Sequence, residues 1–446
     1  MTHSGLNEPV PQEKLQRHIG LVALAVYGIG DILGAGIYGL VGKAAGEMGN
    51  AIWLAFLTSM VAAGLTGLSY ASLGSRYPKA GGASYFVHRA YKSGFLAYVI
   101  GLTALASGIT SMATGSRAFS GYLSALMGGQ VPIQVLVASF CVLVAAVVIR
   151  GIRESMWMNM ICTTIEVSGL LLILAAGARF VGSVDYFSAV TVSNPSGALG
   201  PSMILSGAVL TFFSFVGFED MTNVAEEVKN PEKNLPLGIL IAVAVSSVIY
   251  VGISIVAVSV VPAADLALSK APLVDVVRVA APWFPPVAFG IIAMFAVANT
   301  ALLNFIMGSR LIYGMAGQGL LPKLLATIHP RTRTPLVSSL VLLAILLTLA
   351  LSGDISSLAR ATSVLLLGCF FFVNLGLVIL KRRTSEPKGR FEVPMIVPVL
   401  GAAVCALMLA YAKIEEIRVA GSLLVIIVLL YFALRPSRRA IEKLES

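Results

Sequence analysis

Charge is scarce in this chain. Only 12% of its 446 residues are Asp, Glu, Lys or Arg, about half the usual share near 25%. A water-soluble chain so poor in charge would expose large apolar patches, so lipid must be the solvent for most of it. Cysteine and histidine are scarcer, four of each. Cys141, Cys162, Cys369 and Cys405 all lie in apolar stretches without CxxC or His/Cys spacing. Disulfides and bound metal are therefore not expected, and the thiols read as buried and inert. His3, His18 and His88 fall at or near one charged edge, and His329 lies in a basic loop. Histidine chemistry inside the membrane has no support. There is no Walker A motif and no nucleophile–base constellation, so neither ATP hydrolysis nor any other enzymatic activity is expected, nor an organic cofactor. No cleavable signal is expected: Met1 to His18 is polar, and no small-residue cleavage site follows the next apolar run, which reads as a retained span.

What is present is apolar. Hydrophobic residues make up 57%, and mean hydropathy is +0.91. The net charge of +10 does not point to nucleic acid, because the excess Lys and Arg sit in short loops between apolar runs. A bilayer core needs about 20 apolar residues per helix. Twelve such spans are expected, at 19–46, 50–74, 95–127, 132–150, 158–180, 201–227, 236–261, 284–313, 335–352, 355–380, 393–412 and 417–434. They are continuous runs without period-two alternation, so helices are expected rather than barrel strands. The first, third, sixth and eighth are long enough to be tilted or broken. Basic residues fill alternate loops, among them Arg76, Arg150, Lys323 and Lys381 to Arg383. That pattern predicts cytoplasmic termini in the cell (inner) membrane. The 76–94 loop is amphipathic and reads as a short helix lying in the interface.

Two spans carry chemistry. The first contains Gly28, Gly30, Gly34 and Gly36, each costing about 1 kcal/mol against alanine in a helix. A break at 34–36 would free backbone groups that lipid cannot satisfy. Its freed N–H groups suit a carboxylate, although glycines also permit close helix packing. The sixth span runs Phe213-Ser-Phe-Val-Gly-Phe-Glu219, and an acid within an apolar run points to function. Carbonyls freed near Phe215 to Gly217 would accept an ammonium group. Interruptions in corresponding spans of two halves mark a transporter site.

These segments resemble the amino acid–polyamine–organocation (APC) superfamily over nearly the whole chain. Gly28-Ile-Gly-Asp-Ile-Leu-Gly-Ala-Gly-Ile37 resembles its first-helix motif, and Phe213 to Glu219 with Glu226-Glu-Val-Lys-Asn-Pro-Glu232 its sixth. Pro78-Lys-Ala-Gly-Gly82 and Arg310 to Pro322 resemble two further family segments, the loop after helix two and the end of helix eight. The resemblance implies an all-α membrane protein of LeuT type. Its helices one and six would be discontinuous. A five-plus-five inverted repeat (19–180 and 201–380) would be followed by two helices (393–434), making one transporter domain over 19–434 with cytoplasmic tails at 1–18 and 435–446.

It also implies roles. Gly34, Ala35 and Gly36 would hold a substrate carboxylate; Ile32 with the Phe213 and Val216 carbonyls would surround the amino group. Phe213 would be an aromatic gate. Ile37, Phe215, Gly217 and Phe218 complete the expected substrate-binding set. Glu219 matches a gating or coupling carboxylate. Glu166 stands where some relatives have lysine; it is a proton-coupling candidate, a group that helps bind a cation, or a static partner of a polar neighbour such as Asn299. Asp31 replaces a usually neutral residue, as a sensor of a cationic group or a structural pair. Arg117 reads as a snorkelling structural arginine. The expected function is secondary active amino acid transport, with H+ a better expectation than Na+ as coupling ion. Polyamine or amine transport, or exchange, is the alternative. The partners expected are a small amino acid or amine and the lipid bilayer, with the protein a monomer or homodimer.

Overall fold

The computed structural model describes residues 15–127, 130–192, 194–269, 271–351 and 356–434. The predicted tails therefore lie largely outside the described residues. Fifteen α-helices are described: α1 (Leu21–Met48), α2 (Ile52–Arg76), α3 (Gly82–Tyr91), α4 (Gly94–Leu126), α5 (Ile133–Arg150), α6 (Ile152–Gly177), α7 (Pro201–Phe212), α8 (Pro231–Val260), α9 (Ala263–Leu268), α10 (Pro272–Ala280), α11 (Pro286–Gly317), α12 (Leu336–Leu351), α13 (Ser356–Arg382), α14 (Ile396–Ala410) and α15 (Ile414–Leu434). The only strand-like feature among the described residues is an isolated bridge from Ile19 to Val228. Proline opens α7, α8, α10 and α11, where its missing N–H costs no hydrogen bond.

Ten helical stretches among the described residues are long and apolar enough to cross a membrane. The apolar helices α12 and α14, at 16 and 15 residues, are shorter; they occupy the expected spans 335–352 and 393–412. Large apolar side chains stand exposed on the outer helices, including Leu143, Val248 and Phe432. This outward greasy surface makes the protein an integral membrane protein.

α1 runs through the middle, packed by α8, α11, α6 and α2. Its Tyr27, Leu33, Ile37 and Val41 are wholly buried. The four cysteines are free and buried. Arg117 donates to the Ala350 carbonyl at 2.8 Å, a cation near the end of α12.

One end of the bundle is tied by ion pairs. Arg76 and Lys381 both reach Glu392 at 2.6 Å; Arg89 reaches Glu386 at 3.0 Å, and the Tyr77 hydroxyl donates to the same carboxylate at 2.8 Å. The expected helix of the 76–94 loop is α3, but it does not lie free in an interface. Phe86, Val87 and Ala90 are buried, and Phe86 meets Tyr70 edge-on at 6.0 Å. The apolar face is wide enough to pack on protein, against α4 and α13.

Glu392 carries a prediction. Partial burial opposes its charge, but Arg76, Lys381 and the Gly389 N–H outweigh that and hold its carboxyl at about 2. A depressed folded-state value stabilises the fold above the ordinary carboxylate range, near 4.3. That contribution is lost as pH falls from there towards 2. Melting temperature of the detergent-solubilised protein should fall more steeply below pH 4 in the wild type than in Glu392→Gln. Parallel curves would refute this.

Candidate functional site

The first interruption is confined to one residue. α1 is helical throughout except Gly34, at φ −7° and ψ −153°. The second is broader. α7 stops at Phe212, and tight 3-10 turns follow at Phe213–Phe215 and Phe218–Thr222. Between them Val216 is extended, and Gly217 has φ 130°, open to glycine but strained for other residues.

Every glycine of the α1 motif admits a neighbour. A Cβ on Gly28 would fall 2.5 Å from Met221 Sδ, and one on Gly30 2.0 Å from Thr163 Oγ1. On Gly34 it would meet Thr300 Oγ1 at 2.2 Å, and on Gly36 the Ser214 backbone at 2.9 Å. Close packing and one residue with non-helical torsions are thus both present in α1. Gly217 has the same use, since a Cβ there would lie 2.9 Å from the main-chain carbon of Asp31.

Interruption leaves carbonyls without helical partners. The Tyr250 hydroxyl, from α8, bridges two of them, the Ile32 carbonyl and the Ser214 carbonyl, the latter at 2.7 Å. The Phe213 carbonyl accepts from the Val216 N–H at 3.3 Å. Tyr250→Phe should cost about 1–3 kcal/mol for the buried carbonyls it orphans, read as a lower melting temperature. An unchanged melting temperature would dismiss the bridge.

A cavity of about 30 Å³ lies where the interruptions meet, room for water rather than an amino acid. α1 contributes Asp31, Ile32 and Gly36; the broken segment contributes Phe213, Val216, Gly217 and Asp220. α4 supplies Ser107 and Ser111, and α11 supplies Thr300 and Asn304. The expected residues Gly34, Ile37, Phe215 and Phe218 do not line it. Phe215 packs edge-on against Tyr250 at 5.0 Å, and Phe218 edge-on against Tyr70 at 5.7 Å. Ala35 lies on the α1 backbone next to Gly34; its side chain is outside the described residues.

The acids divide into two groups. Asp31, Glu219 and Asp220 are buried together around Gly217. Glu219 accepts the Gly217 N–H at 2.9 Å, and the Asp31 and Asp220 carboxyl groups lie within hydrogen-bonding reach of each other. Glu166 is fully buried on α6. Asn299 stands beside it and donates to Thr163 Oγ1 at 2.9 Å. Thr163 in turn reaches Asn159 at 3.0 Å. The expected pairing of Glu166 with Asn299 is not made as a hydrogen bond: both Glu166 carboxylate oxygens are buried without a partner, and the Asn299 amide goes to Thr163, with Gly30 of α1 packed on the Asn159, Thr163 and Asn299 side chains. Among the described residues, Glu166 has no ion-pair partner, and no cluster could hold a metal.

Sequence reasoning missed Asp220, Tyr250, Thr300, Asn304, Ser107 and Ser111. Asp220 carried a signal, as a second acid directly after Glu219. The others are ordinary polar residues on apolar helices.

Comparison with known proteins agrees with this architecture. The chain is 27% identical over 417 residues to the methylthioribose transporter of Bacillus subtilis (strain 168), covering 88% of each. It is 25% identical over 412 residues to a branched-chain amino acid permease of the same bacterium, covering 88% of this chain and 87% of that one. It is 30% identical over 339 residues to the chloroplastic cationic amino acid transporter 9 of Arabidopsis thaliana, covering 71% of this chain but spanning only 58% of that longer protein. The family model described as amino acid permease matches residues 19–434, and the chain is therefore a member of the amino acid permeases of the APC superfamily.

Proposed function

We propose that this permease is a secondary active amino acid transporter, working by proton symport and alternating access. The observation that carries this reading is the convergence of two interrupted segments on one polar cavity. Backbone N–H groups around Gly34, Ala35 and Gly36 hold the substrate carboxylate. The Ile32, Phe213 and Val216 carbonyls take its amino group. Carbonyls keep a second lone pair for this after the Tyr250 and Val216 contacts. Phe213 closes the site from outside. Glu166 and Glu219 are the coupling candidates, with H+ as the coupling ion.

The finer architecture belongs to this reading. Twelve spans make a five-plus-five inverted repeat, 19–180 and 201–380, followed by 393–434. The termini are cytoplasmic, the membrane is the cell membrane, and the path lies within one chain whether it works as monomer or homodimer. The small cavity is then an occluded state, and alternating access must widen it. The protein binds and moves its substrate unchanged, without catalysis or a bound cofactor.

A second reading is favoured by a specific observation: Asp31 and Asp220 line the cavity, and an acidic wall suits a polyamine, another amine or a cationic amino acid, including by exchange. A thermal-shift screen against amino acids and amines separates the two, because a ligand that binds only the native state raises its apparent stability. Proteoliposomes holding a pH dye then test coupling. Addition of the stabilising solute outside should acidify the lumen. Uptake that requires sodium and moves no protons would refute symport.

A further inference from the structure

Asp31 and Asp220 sit on opposite sides of the two interruptions. Asp31 lies one turn before Gly34, and Asp220 within the 3-10 turn that follows Gly217. Each is only 5% exposed, and both face the cavity. Their carboxyl groups are within hydrogen-bonding reach. Two ionised carboxylates repel at that separation in a low dielectric, whereas a hydrogen bond between them needs one proton. One oxygen of Asp31, Oδ2, is buried with no hydrogen-bond partner, so the pair retains a free acceptor in a residue that lines the cavity.

Among the described residues, no ion pair reaches either carboxylate. From the same segment, Glu219 adds a third acid, its Oε2 committed to the Gly217 N–H. α6 presents Glu166, α1 Tyr27, α2 Tyr70 and α8 Tyr250. Arg310 of α11, which acts on the neighbouring Tyr27, is spent on Glu227 at 3.0 and 3.2 Å and on Ser309 at 2.9 Å. The pair's close contact also depends on Gly217, where any Cβ would lie 3.1 Å from the Asp31 carboxyl carbon.

We propose that Asp31 and Asp220 form a proton-held latch between α1 and the segment after the second break. With one proton shared, the hydrogen bond holds the two interruptions together over the cavity. When the O–H bond breaks and the proton passes to water, two like charges remain in contact and the segments part. The latch thereby names the coupling site of the symport proposed above and rests on that reading for its role in transport. It does not rest on that reading for its effect on structure.

The test separates the two. Hydrogen–deuterium exchange of residues 213–223 is followed in nanodiscs as pH is raised, after correction for the base catalysis of exchange itself. Opening linked to release of one proton should rise roughly tenfold per pH unit across the transition. In Asp31→Asn or Asp220→Asn the amide donates to the remaining carboxylate without a titrating proton, and the step should vanish. Absence of the step in the wild type, a measurement that needs no variant, overturns the latch. So does a step that persists in either variant. In proteoliposomes, wild-type uptake of L-lysine or L-leucine without lumen acidification overturns symport and leaves the latch to the exchange result. Wild-type acidification that survives unchanged in both variants overturns the latch as the coupling site while symport stands.

Discussion

Gly36→Leu should abolish substrate binding and uptake while the protein still folds. Gly36 is helical, so the effect is not conformational. Its missing side chain is what lets the Ser214 backbone approach, since a Cβ would fall 2.9 Å from Ser214 Cα and 3.3 Å from its Cβ. A backbone atom cannot rotate away as a side chain can. The two interrupted segments must therefore separate at the place where they form the cavity. Gly36→Ala already overpacks this contact by about 1–3 kcal/mol, roughly five- to 150-fold if it falls on affinity. Leucine adds three more carbons to the same gap. Gly64→Leu on α2 is the control, because nothing lies within 4 Å of a Cβ there. Binding is read by thermal shift and uptake in proteoliposomes, folding by monodisperse elution. Unaltered affinity in Gly36→Leu would sink the assignment of the site.

The helical character and most of the spans are legible in the sequence because lipid imposes long apolar runs and forbids open strands. The site is legible only in part. Glycines at 28, 30, 34 and 36 announce an exception to ordinary helix but not its kind. Only Gly34 leaves helical torsions, while its companions admit Met221, Thr163 and Ser214. Those partners are distant in sequence and leave no local trace. The run Phe213, Phe215, Phe218 shows the same limit. Helical or alternating periodicity would not select Phe213 alone, because 3-10 turns and the φ of 130° at Gly217 break both periods. Phe213 faces the cavity while its neighbours fill an aromatic core with Tyr250 and Tyr70. Tyr250 escapes sequence reading for a different reason. It serves the interruptions only because α8 brings it beside both, and a tyrosine in an apolar run gives no hint of two orphaned carbonyls.

Removal of Arg310 should destabilise the protein more than any other single change considered. Both Arg310 and Glu227 have side chains with 0% exposure. Their fork-to-fork contact is formed by Nε to Oε2 at 3.0 Å and Nη2 to Oε1 at 3.2 Å. Arg310→Ala leaves an uncompensated buried carboxylate, at a cost of about 3–5 kcal/mol. The damage should spread, because Glu227 is also a backbone anchor. Its carbonyl accepts the Ile19 N–H at 3.0 Å, and the Lys229 N–H returns to the Ile19 carbonyl at 2.8 Å. The neighbouring Glu226 carboxylate takes the Ala80 N–H at 3.2 Å. One ion pair thus fixes α11, the entry to α1 and the segment after the second break relative to one another. Arg310→Lys keeps the charge but not the fork and should recover only part of the loss. The double change Arg310→Met with Glu227→Leu removes both charges, and paired apolar replacements of this kind are often neutral or stabilising. It should melt above either Arg310→Ala or Glu227→Ala. If the double variant melts no higher than the singles, the cost comes from lost shape rather than a stranded charge, and the electrostatic account of this anchor fails.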